Sequence, residues 1–219
     1  MAETRDEERF TVEKFGMRPV AYMQSLGWTG EDVWYAHGIH FNDDELRILA
    51  ETGTGVAHCP ASNMKLASGV CRVPDMLRLG VPVGLAVDGS ASNDGSSLLE
   101  EMRVCYLLHR LTSSAAAPTG YNVLKLATRG SARLLGRDDI GQLAPGKAAD
   151  LFLIDLNRLS LVDAQFDPRS MLATVGFKGD VDYTIVNGVP VVRQSRLTAV
   201  DEDEIVSRSN AVVRRYLNR

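Results

Sequence analysis

The stretch Val83-Gly84-Leu85-Ala86-Val87-Asp88-Gly89-Ser90-Ala91-Ser92-Asn93-Asp94 decides how the chain is read. Its first five residues are apolar and partly β-branched, the composition of a strand buried on both faces of a parallel sheet. The run then stops on a carboxylate followed by Gly and Ser. Asp-Gly is a strong turn signal, so Asp88 reads as the corner that ends a strand. The sharper reading is an acid at the C-terminal mouth of an α/β barrel, where strand ends carry the chemistry. The spacing at this one place leaves both open.

Neighbouring segments weigh on the second reading. Val33-Trp34-Tyr35-Ala36 predicts a short strand ending at His37, and Gly55-Val56-Ala57-His58-Cys59 another that stops at Pro60. Between them, Asn42-Asp43-Asp44-Glu45 is a capping box opening a helix to about Glu51. The small and polar residues from Ala61 to Gly69 suggest a loop, followed by a short helix around Met76 and Leu77. Ser96 to about Leu111 reads as a long helix, and Asn122 as the cap of another from about Val123 to Leu135. Upstream, Arg5 to about Leu26 carries one helical pattern. Strands alternating with helices indicate a parallel α/β arrangement. His37, His58 and Asp88 all stand where strands end, yet three strands cannot close a barrel.

After Gly136 the pattern changes. Ala148 to Asp155 reads as a strand, and Asp182-Tyr183-Thr184-Ile185-Val186 enters a hairpin at Asn187-Gly188 that Val189 to Val192 continue. Asn-Gly between apolar runs is a strong hairpin signal. Such a module buries little by itself. Asp201 to about Leu217 returns to a charged, amphipathic helix. The expected division is therefore 1–139, 140–198 and a C-terminal helix at 199–219.

Composition narrows the function classes. The 219 residues are 45% apolar and 24% charged, which is globular rather than disordered. With 24 Lys and Arg against 28 Asp and Glu, the net charge of -4 argues against a nucleic-acid partner. No apolar stretch reaches membrane-span length, and the first residues carry no signal-peptide pattern, so the expectation is a cytoplasmic protein without a membrane partner. Cys59, Cys71 and Cys105 are an odd number without paired spacing and read as small buried residues.

Four segments, in order, resemble one family. Tyr35-Ala36-His37-Gly38-Ile39-His40, His58-Cys59-Pro60-Ala61-Ser62-Asn63-Met64-Lys65-Leu66 and Val87-Asp88-Gly89-Ser90-Ala91-Ser92-Asn93 look like the late-barrel signatures of the amidohydrolase superfamily. Ile140-Gly141-Gln142-Leu143-Ala144-Pro145-Gly146-Lys147-Ala148-Ala149-Asp150-Leu151 resembles the exit from its barrel into a companion β-sandwich. The branch is that of the cytosine-type, guanine-type and adenosine-homocysteine deaminases and the triazine hydrolases. Within it, the run from Ala2 through Asp94 looks most like the 8-oxoguanine deaminases.

The resemblance implies a fold and a site. The fold is the C-terminal part of a (β/α)8 TIM barrel, about strands six to eight, with part of the sandwich. The family's barrel holds one divalent metal, zinc or alternatively iron. Its ligands are a His-x-His pair on the first strand, a His ending the fifth and an Asp ending the eighth. The fifth-strand His opens a His-x-x-Glu motif whose Glu shuttles protons, and a sixth-strand His orients the attacking water. Carried onto this chain, Asp88 matches the metal-ligating Asp, His37 the sixth-strand His and Glu3 the proton shuttle. The motif's His would fall one position before Met1, and none of the four histidines, His37, His40, His58 and His109, makes a His-x-His. The expectation that follows is the C-terminal half of a longer enzyme.

The chemistry implied is hydrolytic deamination of a purine-like ring, 8-oxoguanine first, at a water activated by the metal. Glu3, His37 and Asp88 are the expected catalytic residues. Glu3, His37 and Asn63 are expected to touch substrate, and Ser90 and Asn93 to support Asp88 from behind, as such groups tune metal sites. Ser62 and Asn63 read as shaping a loop near the substrate or as capping it. His58 reads as a packing or hydrogen-bonding residue and His109 as part of a structural helix face. A triazine-type amido- or chlorohydrolase is the alternative, as is a non-catalytic fragment. The full-length form is expected to bind a small heterocycle and to form homo-oligomers. The other zinc-deaminase signature, H-x-E with P-C-x-x-C, is absent: Cys59-Pro60 reverses the order.

Overall fold

The computed structural model describes residues 1–218 and divides into two compact units, each taken by itself. The first comprises 1–142 and 163–178. Its centre is a three-stranded parallel sheet in the order β1 (Trp34–Ala36), β2 (Gly55–His58), β3 (Val83–Leu85). Tyr35 stands opposite Val56, and Ala57 opposite Gly84. The backbone of the first two residues extends this ladder beside β1. The Met1 ammonium donates to the Ala36 carbonyl (3.0 Å), and the Gly38 and His40 amides donate to the carbonyls of Met1 and Ala2.

The helices follow local chemistry. Residues Arg5–Phe15 form α1 and Pro19–Ser25 form α2. The single helix expected over 5–26 is broken because Gly16 takes a left-handed conformation (φ 68°) that closes α1, while Pro19 opens α2 in the first turn, where its missing N–H costs nothing. Helix α3 (Asp43–Thr52) starts as the capping box requires: the Asn42 side chain accepts from the Glu45 amide (2.9 Å), and the Glu45 carboxylate accepts from the Asn42 amide (3.0 Å). Glu45 is buried, and its carboxylate also takes the Val20 amide (3.1 Å) and the Arg18 guanidinium (2.7 and 3.0 Å). A local cap has thereby become the anchor of α2.

Between β2 and β3 the expected loop begins with a helix, α4 (Pro60–Lys65), again opened by a proline, and α5 (Val73–Leu79) follows. After β3 come the single turn α6 (Ser90–Asn93) and the long α7 (Leu98–Ser113). Thr119, not Asn122, caps the next helix. Its hydroxyl accepts from the Asn122 amide (3.2 Å), so α8 (Gly120–Lys125) starts three residues earlier than expected. It runs through a π-type turn at Leu126–Gly130 into α9 (Ser131–Leu134). The π turn lies directly against β3. A Cβ on Gly130 would come within 2.2 Å of the Val83 carbonyl oxygen, and one on Gly84 within 2.9 Å of Ser131 Cα. The Ser131 hydroxyl accepts the Leu85 amide (3.2 Å) and reaches the Leu85 carbonyl (3.0 Å). Helix and strand are bonded as well as packed. Helix α10 (Met171–Thr174) packs on α7 and α8, so 163–178, expected inside the β module, groups with the first unit.

The second unit, 143–162 and 179–218, holds an antiparallel sheet of β4 (Leu151–Leu153), β5 (Tyr183–Val186), β6 (Val189–Arg193) and β7 (Arg196–Leu197), in that order. Asn187 and Gly188 both have positive φ (46° and 80°), as a two-residue hairpin of this twist demands. Helix α11 (Glu202–Leu217) is capped by Asp201 and has no buried residue. No helix among the described residues is long and apolar enough to cross a membrane.

Candidate active site

The C-terminal ends of the parallel strands gather the polar residues of the first unit. His37 follows β1 and Asp88 lies three residues beyond β3, and both have positive φ (73° and 66°). That region is uncommon for residues with a Cβ, and such conformations cluster at functional sites. Glu3 comes from the segment that lies along β1. Its carboxylate Oε2 is 3.4 Å from His37 Nε2, with both side chains mostly buried.

Helix α4 connects the two ends of this row. The Ser62 hydroxyl donates to Asp88 Oδ2 (2.5 Å), and the Asn63 amide Nδ2 lies 3.0 Å from His37 Nδ1 and 3.3 Å from Glu3 Oε1. Ser68 donates its hydroxyl to the same Glu3 oxygen (2.9 Å). One dipeptide, Ser62-Asn63, thus serves both carboxylates. The structure brings Glu3, His37, Asn63 and Asp88 into one network.

Ser90 and Asn93 do not support Asp88. The turn α6 carries Ser92 back over the strand end, where its hydroxyl donates to Asp88 Oδ2 (3.0 Å), while Ser90 is exposed. Asn93 instead donates to the buried carboxylate of Glu101 (2.6 Å), which also takes the Ala61 amide (3.1 Å). Glu101 therefore anchors the start of α4 to α7. Reasoning from the sequence did not single out Ser68, Ser92 or Glu101. Only the i, i+4 spacing of Asp88 and Ser92 carried a signal.

Charge states follow from these contacts. Asp88 is held below its ordinary carboxylate range, first by the Ser62 hydroxyl, against some burial, and then by the Gly89 amide and Ser92. It stays ionised, the form in which a carboxylate binds a cation. Burial pushes the Cys59 thiol up to about 12, helped by Asp88, Glu101 and Glu3, so this cysteine is no nucleophile at neutral pH. Asp88 suits a hard or borderline divalent cation. One carboxylate falls short of the three protein ligands a catalytic zinc site typically has.

A second cluster lies behind β2. His58 is fully buried and its Nε2 is 3.3 Å from Nε2 of His109 on α7. Cys105, one turn before His109, completes a group whose ligand-type atoms lie within 4.8 Å of one another. Burial lowers His58 to about 3, with further repulsion from His109 and His37, and lowers His109 to about 4. Burial raises Cys105 to about 12. All three are neutral at physiological pH. His40 borders the first cluster, with its Nε2 3.2 Å from the carbonyl of Ser68, whose hydroxyl bonds Glu3.

Comparison with known proteins bears on this geometry. Residues 1–191 match the model of the amidohydrolase family. The chain is 47% identical over 211 residues to the 8-oxoguanine deaminase of Pseudomonas aeruginosa, which covers 96% of this chain and 46% of that protein. It is 44% identical over 209 residues to the hydroxydechloroatrazine ethylaminohydrolase of a Pseudomonas species, covering 94% and 44%. Among solved structures, a zinc-bound adenosine deaminase from Xanthomonas campestris superposes with a TM-score of 0.92 at 31% identity, covering all of this chain and 50% of that one. A zinc complex of an atrazine chlorohydrolase from Arthrobacter aurescens gives 0.90 at 31% identity, covering 94% and 46%. The chain spans about half the length of the curated relatives it matches.

Proposed function

The chain belongs to the amidohydrolase family, and we propose that it forms the C-terminal part of a metal-dependent aminohydrolase barrel that deaminates a purine-like ring, with 8-oxoguanine as substrate. The observation that carries this is the row of Glu3, His37 and Asp88 at the ends of neighbouring parallel elements, joined through Ser62 and Asn63. The likeness to 8-oxoguanine deaminase over nearly the whole chain supports the choice of substrate. The likeness to triazine-ring hydrolases supports the second reading, release of an amine or chloride from a triazine.

Asp88 would hold a divalent metal, zinc as in the solved neighbours or iron, together with ligands from the remaining part of the barrel. When bound, such an ion lowers the pKa of a water from about 15.7 to roughly 7. The chain's own groups handle the protons. Water oxygen bonds to the ring carbon that carries the amino group, and one water proton passes to Asp88. Glu3 takes the other water proton and delivers it to the adjacent ring nitrogen. His37 donates a hydrogen bond from Nε2 to the attacking oxygen as charge builds on it. Asp88 passes its proton to the amino group, and the C–N bond breaks as the new C–O bond becomes a carbonyl, releasing ammonia. Asn63, buried beside Glu3 and His37, has an Oδ1 without a partner, an acceptor suited to a ring N–H of the substrate.

The test joins the part of the Pseudomonas aeruginosa deaminase that precedes the matched region to Met1 of this chain. The chimera, loaded with zinc, is expected to release ammonia from 8-oxoguanine, and to lose that activity in Asp88→Ala. A folded, zinc-loaded chimera that releases only amine or chloride from a triazine would transfer the assignment to the second reading.

A further inference from the structure

We infer that Asn63 is a positioning residue that fixes the tautomer of His37, presenting this imidazole to the site as a donor at Nε2 and barring it from acting as a base there. The inference deepens the role given to His37 above and rests on that reading for its catalytic meaning, though not for its test.

The argument starts from which way the Asn63 amide points. Its nitrogen lies 3.3 Å from a Glu3 carboxylate oxygen, which can only accept. Turning the amide over would set Oδ1 against that carboxylate, so Nδ2 faces Glu3 and, at 3.0 Å, His37 Nδ1. An amide NH2 offers two N–H groups and no lone pair for donation to it, so His37 Nδ1 must be the acceptor. The neutral ring then carries its proton on Nε2, the nitrogen 3.4 Å from Glu3 Oε2. Asn63 is 1% exposed and sits on α4 directly after Ser62, which is bonded to Asp88, so the amide has little freedom to turn.

The consequence is a division of labour. Asp88 and Glu3 accept and deliver protons, and His37, with its only lone pair occupied by Asn63, can only donate. An imidazole of the other tautomer would offer Nε2 as a competing base beside Glu3.

The experiment uses the 219-residue chain, with 15N-labelled histidine and long-range proton–nitrogen spectra at pH 9, and assigns His37 by the signal lost in His37→Gln. Wild-type His37 is expected to hold its proton on Nε2. Neutral imidazole in water also favours that nitrogen, so the discriminating variant is Asn63→Asp. There an acceptor replaces the donor at Nδ1, and the proton should move to Nδ1. Asn63→Ala should leave a mixture of the two tautomers. A wild-type ring protonated on Nδ1 overturns the inference whatever the variants do. So does a folded Asn63→Asp chain, with its other histidine signals in place, that keeps the proton on Nε2. Because the reading is spectroscopic, failure of the proposed deamination would leave its outcome unchanged.

Discussion

Two histidine-bearing clusters grow from the same short stretch of chain, His58 to Asn63, and they are built on opposite terms. Ser62 and Asn63 reach toward the strand ends, where two carboxylates and His37 meet. His58, the last residue of β2, meets His109 and Cys105 in a buried layer against α7. The first cluster has charge and residues in strained backbone conformations. The second has neither, and burial keeps each member neutral. Proximity of ligand-type side chains is common to both. What separates them is whether the surroundings favour the ionised form, as Ser62, Gly89 and Ser92 do for Asp88.

The comparison breaks most visibly in turnover. In the zinc-loaded chimera, Asp88→Ala removes the proposed metal ligand and proton acceptor together, and the expected loss is several orders of magnitude. Glu3→Gln keeps the shape but removes the proposed shuttle, so kcat should fall about 10²–10⁴-fold with metal content unchanged. His109→Ala should spare turnover in whatever fraction stays folded. If His109→Ala abolishes turnover in folded protein while Asp88→Ala does not, the assignment of the two clusters is reversed.

How much of this was readable beforehand depended on how local the cause was. The β3 run that ends before Asp88, the Asn42 capping box and the Asn187-Gly188 hairpin are set by neighbours in sequence, and the expectations for them match the structure. The break at Gly16 and Pro19 was equally local, and the helical periodicity on either side masked it. The support of Asp88 was a different matter. Ser62 is 26 residues from Asp88 in sequence, and only the packing of α4 brings them together. Likewise Cys105 and His109 share a helix face by spacing alone, whereas their partner His58 is 51 residues from His109. The roles proposed for Glu3, His37 and Asp88 rest on family resemblance, and the structure adds only that the three side chains are brought together.

A metal assay sharpens the comparison at the next scale. The 219-residue chain offers Asp88 as a donor at the strand ends, fewer than the ligands a catalytic zinc site typically uses, so zinc retained after dialysis should fall well below one per chain. What remains should disappear in Asp88→Asn and persist in Cys105→Ala. The buried cluster is a poor competitor because binding there requires removing the Cys105 proton in a dry layer, where that thiol is held up to about 12. Stoichiometric zinc that survives Asp88→Asn and vanishes in Cys105→Ala would place the ion behind β2 instead.

The smallest expected effect is on acid stability, and its sign follows from the same burial. His58 and His109 are neutral in the folded chain down to about pH 3 and pH 4, whereas in the unfolded chain each takes a proton near its ordinary value of 6.5. Below 6.5 the unfolded state therefore binds more protons, and stability falls as the pH falls. Each histidine contributes a slope of up to about 1.4 kcal/mol per pH unit until its folded pKa is reached. The contribution is complete above about pH 6.5 and is lost progressively below it. Asp88, whose pKa is lowered, adds a loss only at more acidic pH, and Glu101, whose pKa burial raises, acts in the opposite sense. Urea unfolding between pH 7.5 and 5 thus isolates the histidines when wild type is set beside His58→Leu/His109→Leu. At pH 7.5, His109→Leu alone should cost about 1–3 kcal/mol, since it strands His58 without its partner. The double variant should recover part of that loss and show a flatter pH dependence. An equally steep slope in wild type and double variant would mean that the pair is not held neutral by the fold, and the contrast between the two clusters would lose its physical basis.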